Sequence, residues 1–217
     1  MCFSAEASFS SSALLTVVGT LTLRKIHKPA QLVFAGITLF FAFQQFTEGV
    51  LWLVIPRPGH EGLQKAAAYA FLIMAEVVWP MLVPLSVLLL EESRPRRRLL
   101  SALLAVGLGI ALFYLHHILS YPLHAEISGR HLIYRSAVQH HYGNIPTFVY
   151  LLPTLVPFYV SSLRRAYIMG VIMTSSFIVS ALFYREHLTS VWCYFAAIMS
   201  FVALYIVSDS KERAALK

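Results

Sequence analysis

The chain has 217 residues, 58% of them hydrophobic and only 12% charged, with a formal net charge of +7. A soluble domain carries roughly 25% charged residues, so a water-solvated surface is excluded for most of this chain and the apolar excess must face lipid. The basic residues sit in short stretches between apolar runs, where they act as topology and anionic-lipid signals and not as a nucleic-acid surface.

A helix crosses the ~30 Å hydrocarbon core with about 20 mostly apolar residues, at ~1.5 Å rise per residue. Seven segments approach that length: 5–23, 30–55, 66–90, 99–119, 145–163, 167–184 and 188–208. They predict an all-α, single-domain bundle of seven transmembrane helices occupying residues 1–217. No internal repeat is visible, and no basic n-region or small-residue cleavage site marks a signal peptide. The first helix is expected to act as its own insertion signal.

Lys and Arg sort by side. Arg24, Lys25, Lys28, Arg94, Arg96, Arg97, Arg98, Arg164, Arg165, Lys211, Arg213 and Lys217 fall in one set of connections, and Arg57, Lys65, Arg130, Arg135 and Arg185 in the other. Twelve against five places the first set in the cytoplasm. The N-terminus then lies outside, the C-terminus inside, and the expected location is the bacterial inner (plasma) membrane.

Taken in chain order, the first span is unusually polar. Cys2, Ser4, Glu6, Ser8, Ser11 and Ser12 thread its start, which predicts a helix buried in the bundle or lining a cavity. Removal of Met1 would give Cys2 both a thiolate and a free amine, a pair able to chelate a metal or act as a nucleophile. Cys2 and Cys193 share the outer side, so three readings stand: two free thiols, a disulfide, or a functional thiol.

The second span carries Gln44, Gln45 and Glu48. Spacings of three and four residues gather these groups toward one helical face. A carboxylate in hydrocarbon costs several kcal/mol, so Glu48 must face the bundle interior and find a partner or a proton. The bland reading is a hydrogen-bond clamp between helices. Glu76, in the third span before Trp79 and Pro80, lies about 15 Å from the outer end by helical rise, close to the midplane. Pro80, Pro84, Pro146, Pro153 and Pro157 predict kinks. Trp52 and Trp192 sit where an outer aromatic belt would place them.

Eight of the nine histidines fall on the outer side: His60, His116, His117, His124, His131, His140, His141 and His187, with only His27 in a cytoplasmic connection. Imidazole is the commonest ligand for zinc, copper and iron. His116, His117, His140, His141 and His187 are therefore candidate ligands of a transition metal, zinc first, with iron, copper or haem as further options. Glu48, Cys2 and Gln44 are the candidate catalytic groups, and Glu76, Gln45 and Glu6 further buried polar ones.

No Walker A pattern, His-Glu-x-x-His or Gly-x-Ser-x-Gly is present. The seventh span has no lysine for a retinal Schiff base, and no span carries voltage-sensing arginines. The opening Met1-Cys2-Phe3-Ser4-Ala5-Glu6 and the stretch Gln44-Gln45-Phe46-Thr47-Glu48-Gly49 resemble an uncharacterised bacterial family of multi-pass membrane proteins whose members begin Met-Cys-Phe-Ser-Ala. That resemblance implies a membrane bundle and supplies no activity. The seven-span zinc hydrolases that include alkaline ceramidases are similar in helix count and histidine enrichment, but their Ser-x-x-x-His and His-x-x-x-His patterns have no counterpart here.

Three functions fit these residues. The first is a metal-dependent membrane hydrolase acting on a lipid or amphipathic small molecule, its metal-bound water activated on the outer side. The second is a transporter, channel or sensor for protons or metal ions using Glu48 and Glu76. The third is a haem or redox protein with paired histidines as axial ligands.

Overall fold

The computed structural model describes residues 4–129, 131–135, 144–163, 165–184 and 187–215. Most of them are helical: α1 (Ala5–Arg24), α2 (Leu32–Val54), α3 (Glu61–Leu72), α4 (Trp79–Leu90), α5 (Arg94–Ser120), α6 (Ile145–Val160), α7 (Ala166–Phe183), α8 (Leu188–Ala197) and α9 (Met199–Ala215). A 3-10 turn, Pro29–Gln31, leads into α2, and a π-helical segment, Ile73–Val78, joins α3 to α4. Five stretches are long and apolar enough to cross a membrane: Pro29–Val54, Glu61–Leu90, Arg94–Ser120, Ala166–Phe183 and Leu188–Asp209. Ile145–Val160 is a shorter apolar helix.

The structure departs from the expected segments in two ways. Helices α3 and α5 begin about five residues earlier than hydropathy places them, because their first turns are polar. Glu61 opens α3 and its carboxylate accepts the Gly59 N–H at 3.0 Å. Arg94–Arg98 open α5, where Arg97 reaches back to the carbonyls of Leu88 and Glu91 at 3.2 and 2.9 Å. The last span is broken at Ile198 into α8 and α9. The mostly helical fold is as expected, and within the expected outer loop the chain forms an antiparallel hairpin, β1 (His124–Ser128) with β2 (His131–Arg135), in which Ser128 pairs with His131 and Ala125 with Tyr134. Hydropathy had read this stretch only as a loop.

Large apolar side chains stand outward around the bundle. They include Leu14 and Val17 on α1, Phe43 and Phe46 on α2, Leu112 on α5, Phe148 on α6 and Leu182 on α7. An apolar girdle of this extent is not a water-facing surface; it is the surface of a membrane protein. Helix α1 tolerates its polarity by internal bonding. The hydroxyls of Thr16, Thr20 and Thr22 donate to the carbonyls four residues back, at 2.7 to 2.8 Å, which hides them from an apolar surround. Ser12 bonds across to Ala42 O of α2 at 2.8 Å. Gly19 lets Leu39 settle against the α1 backbone, where an added Cβ would lie 2.5 Å from the leucine Cδ2.

The π segment follows from Pro80. In an α-helix the carbonyl of Glu76 would accept the N–H of residue 80, which proline lacks. The chain widens instead: Trp79 N–H bonds to Met74 O, five residues back, and the Ala75 carbonyl loses its α-helical donor. Tyr150 of α6 supplies one, its hydroxyl donating to Ala75 O at 2.6 Å. Replacing Tyr150 by Phe leaves that buried carbonyl without its bond. The expected cost is about 1–3 kcal/mol, read as a lower melting temperature in detergent.

The connections fall at two opposite ends. At one end Lys25 Nζ bonds Ser208 Oγ at 3.0 Å, Arg165 pairs with Asp209 at 3.7 Å, and Glu91 binds the turn after α6. At the other, Gln64 of α3 donates to Ala125 O of the hairpin at 3.0 Å. Glu91 is almost wholly enclosed, and its oxygens accept Ser162 N–H at 2.7 Å, Ser162 O–H at 2.7 Å and Ser93 N–H at 2.9 Å. Burial alone would raise this carboxyl's pKa. The Ser162 and Ser93 amides, the Ser162 hydroxyl and nearby Arg96 outweigh burial and hold it below the ordinary value. A depressed carboxyl stabilises the fold above its unfolded value, near 4.5, and that stabilisation is lost as pH falls through the folded value. Glu91→Gln is therefore expected to cost about 1–3 kcal/mol at neutral pH. The gap from the parent protein should close in strong acid, as followed by thermal unfolding across pH.

Candidate functional site

Helical spacing divides α2 into two polar faces. Ala42 and Gly49 lie against α1, the first accepting from Ser12 and the second facing the Phe9 ring, where an added Cβ would lie 2.9 Å from Cε1. Gln45 falls between them on that face. Its side chain is fully buried, and neither amide atom makes a hydrogen bond among the described residues. Ser8 of α1, also fully buried, has no hydroxyl partner among the described residues either. Gln45, expected beside Glu48 from its spacing of three residues, makes no hydrogen bond to it among the described residues.

Gln44 and Glu48, four residues apart, do share a face, and it points to α4 and α8. Gln44 is fully buried and bridges two helices. Its Oε1 accepts the indole N–H of Trp79 at 2.9 Å, and its Nε2 donates to Cys193 Sγ at 3.1 Å. Glu48 is also fully buried, and its Oε1 accepts a hydrogen bond from the Ser190 hydroxyl. Trp79 stacks on Phe41, with centroids 4.2 Å apart. The side chains of Phe41, Trp79, Tyr150, Thr154, Trp192 and Cys193 help to line a cavity beside this cluster, with about 20 Å³ of room for water centres. That suffices for about one water molecule.

Glu76 lies on the π segment. It is half-buried, and its Oε2 is enclosed without a hydrogen bond among the described residues. It interacts electrostatically with Tyr114 of α5, Tyr150 of α6 and Cys193 of α8. Cys193 also interacts with Glu48.

The predicted metal ligands are spread out. His116 is exposed, while His117, its neighbour on α5, is buried and bonds through Nδ1 to Phe113 O of its own helix at 2.8 Å. Helix α5 packs on α4, α6 and the π segment, whereas Glu48 lies between α2 and α8. His187 pairs instead with His131, the rings stacked at 4.4 Å and 28°. Among the described residues no three His, Cys, Asp or Glu side chains come together to hold a metal ion. Cys2, His140 and His141 lie outside the described residues. Glu6 sits in the first turn of α1, exposed, and does not join the cluster.

A family model described as "Family of unknown function (DUF6629)" matches residues 1–217. The chain belongs to the DUF6629 family. No curated protein and no solved structure matches it, so the chemistry of this DUF6629 member has to be read from its own residues. Three of those residues escape a sequence reading of the site. Ser190 and Tyr150 act through tertiary pairing, which periodicity does not show. Tyr150 had an indirect signal, because the proline at 80 demands an outside donor. His131 reads as one of several loop histidines until the hairpin sets it on His187.

Proposed function

We propose that this protein is a proton- or cation-linked membrane transporter of seven crossings, outside N-terminus and cytoplasmic C-terminus, working in the inner (plasma) membrane. Glu48 is the carboxylate that binds and releases the transported charge, and Glu76 is a second charge-binding group deeper in the bundle. One observation carries the reading. Glu48 is fully enclosed among α2, α4 and α8, and the stretches 5–23, 29–56, 66–93, 99–129, 145–163, 166–184 and 187–210 contain no Lys or Arg. A carboxyl enclosed at membrane depth is costly to leave charged, and such residues mark ion and proton pathways in membrane proteins.

The helical irregularities support the same reading. The π segment carries Glu76, and π-bulges recur at functional sites. Pro80 and Pro84 in one span, and Pro153 and Pro157 in another, give the interrupted helices from which transport sites are built. Seven crossings are supported by α1 and α6, whose outward faces carry Leu14, Val17, Phe148 and Leu152 and so suit lipid. A metal-dependent hydrolase would need ligands that the described residues do not assemble. The test is flux of protons, sodium or divalent cations into proteoliposomes by the parent protein and by Glu48→Gln. Loss of flux in the variant supports the proposal, and equal flux in both overturns it.

A further inference from the structure

The hairpin covers the side of α2 beyond Glu48. Leu51, one turn past Glu48, is fully buried in a cluster with Ala67 and Ala68 of α3, Ala125 of β1 and Leu132 of β2. Tyr134 stacks on Phe71, centroids 4.5 Å apart and nearly parallel. Side chains alternate along a strand, so one hairpin face, with Ala125, Leu132 and Tyr134, is pressed onto the bundle. His131 belongs to the opposite face and meets the segment that leads into α8. It lies on His187, with Tyr184 edge-on at 5.4 Å. His187 immediately precedes α8, whose first turn carries Ser190. Ser190 in turn donates to Glu48. A line of polar groups therefore runs from the histidine pair to the buried carboxylate, with the Leu51–Leu132 contact beside it.

We propose that the His131–His187 stack is an acid-opened gate in this hairpin, controlling access of protons or small cations from the outer side to Glu48. This inference rests on the transport reading of Glu48. Two imidazoles in face contact repel each other once both carry a positive charge. Burial, then the neighbouring His187 and the positive charge of the N-terminal amine, hold the His131 pKa below the ordinary 6.5. The closed stack is thus fully favoured above that value and weakens as pH falls below it. The Nδ1 of His187 is enclosed without a hydrogen bond among the described residues. The other titratable groups on the surrounding elements are Tyr184 before α8, His124 and Glu126 on β1, Arg135 on β2, Glu61 and Lys65 on α3, and Glu48 below. Glu126 shares the hairpin face of His131 by alternation.

Cys193, buried beside Gln44, is a native reporter of this opening. In a Cys2→Ser background it is the sole cysteine. Labelling by a membrane-impermeant thiol reagent from the outer side is compared in that protein and in the same protein carrying H131F/H187F, which keeps two stacked rings without titrating nitrogens. Comparison at a single pH cancels the thiol's own ionisation. The ratio of labelling rates is expected to be near one at about pH 7.5 and about fivefold or more in favour of the histidine protein at about pH 5.5. Equal labelling of both at the lower pH overturns the gate. Should the double variant not fold, hydrogen exchange of the Leu132–Tyr134 amides in the parent protein decides. Exchange faster at the lower pH, after correction for intrinsic chemistry, supports the gate, and unchanged protection overturns it. Acid-dependent labelling without any cation or proton flux removes the transport reading and leaves an acid-opened hairpin; flux with pH-independent labelling removes the gate alone.

Discussion

Glu48→Gln is expected to abolish charge movement while leaving the bundle folded. Glutamine keeps the length of the side chain and an oxygen that can accept from Ser190, so the contact between α2 and α8 survives. What it removes is the ability to take up and release a proton or to balance a cation. Flux in proteoliposomes should fall on the order of tenfold or more, because a translocated charge must then cross hydrocarbon depth uncompensated. The melting temperature in detergent should change little. A variant that loses flux together with its fold would show the same activity defect for a structural reason, so the two readings are taken on one preparation. Ser190→Ala should lie between the parent and the glutamine variant, since it removes a hydrogen bond and not the titrating group.

Gly107→Ala is expected to be the most destabilising single-methyl change in the chain. An added Cβ would lie 1.9 Å from the Pro80 carbonyl oxygen and 3.2 Å from Pro153 Cβ. Pro80 and Pro84 are four residues apart, so that carbonyl has no α-helical donor either, and the bare α5 backbone closes over it. The obstruction is main chain on one side and a proline ring on the other, and neither can rotate away. Helix α5 must retreat from α4. Overpacking of this kind costs about 3 kcal/mol or more, or roughly 10 °C in melting temperature for a chain of this length. Gly109, two residues on, has nothing within 4 Å of its added Cβ, so Gly109→Ala is the matched control and should leave the melting temperature almost unchanged.

Hydropathy made the membrane bundle legible because apolar length is a local property. Five of the expected spans return as helices long and apolar enough to cross. Their starts were placed late wherever a polar first turn belongs to the helix, as at Glu61 and Arg94. Gln44 and Glu48 were legible as a pair on one face, since four residues make a helical turn. Gln45 was legible as a buried polar group, but whether its amide finds a partner is decided by tertiary packing, which helical spacing does not give. The histidine count was legible and its meaning was not: His117 is used by its own helix, and His187 finds His131 only once the hairpin folds. Nothing in the local pattern of 124–135 distinguishes a strand pair from a loop beside two long helices.

Infrared difference spectroscopy of the purified protein in lipid, taken between neutral and acid pH, tests the assignment of Glu48 most directly. A buried carboxyl that takes up a proton should give a C=O stretch in the carboxylic-acid region, and that band should vanish in Glu48→Gln while persisting in Glu91→Gln. A spectrum in which Glu48→Gln leaves every carboxylic-acid band in place would contradict the account.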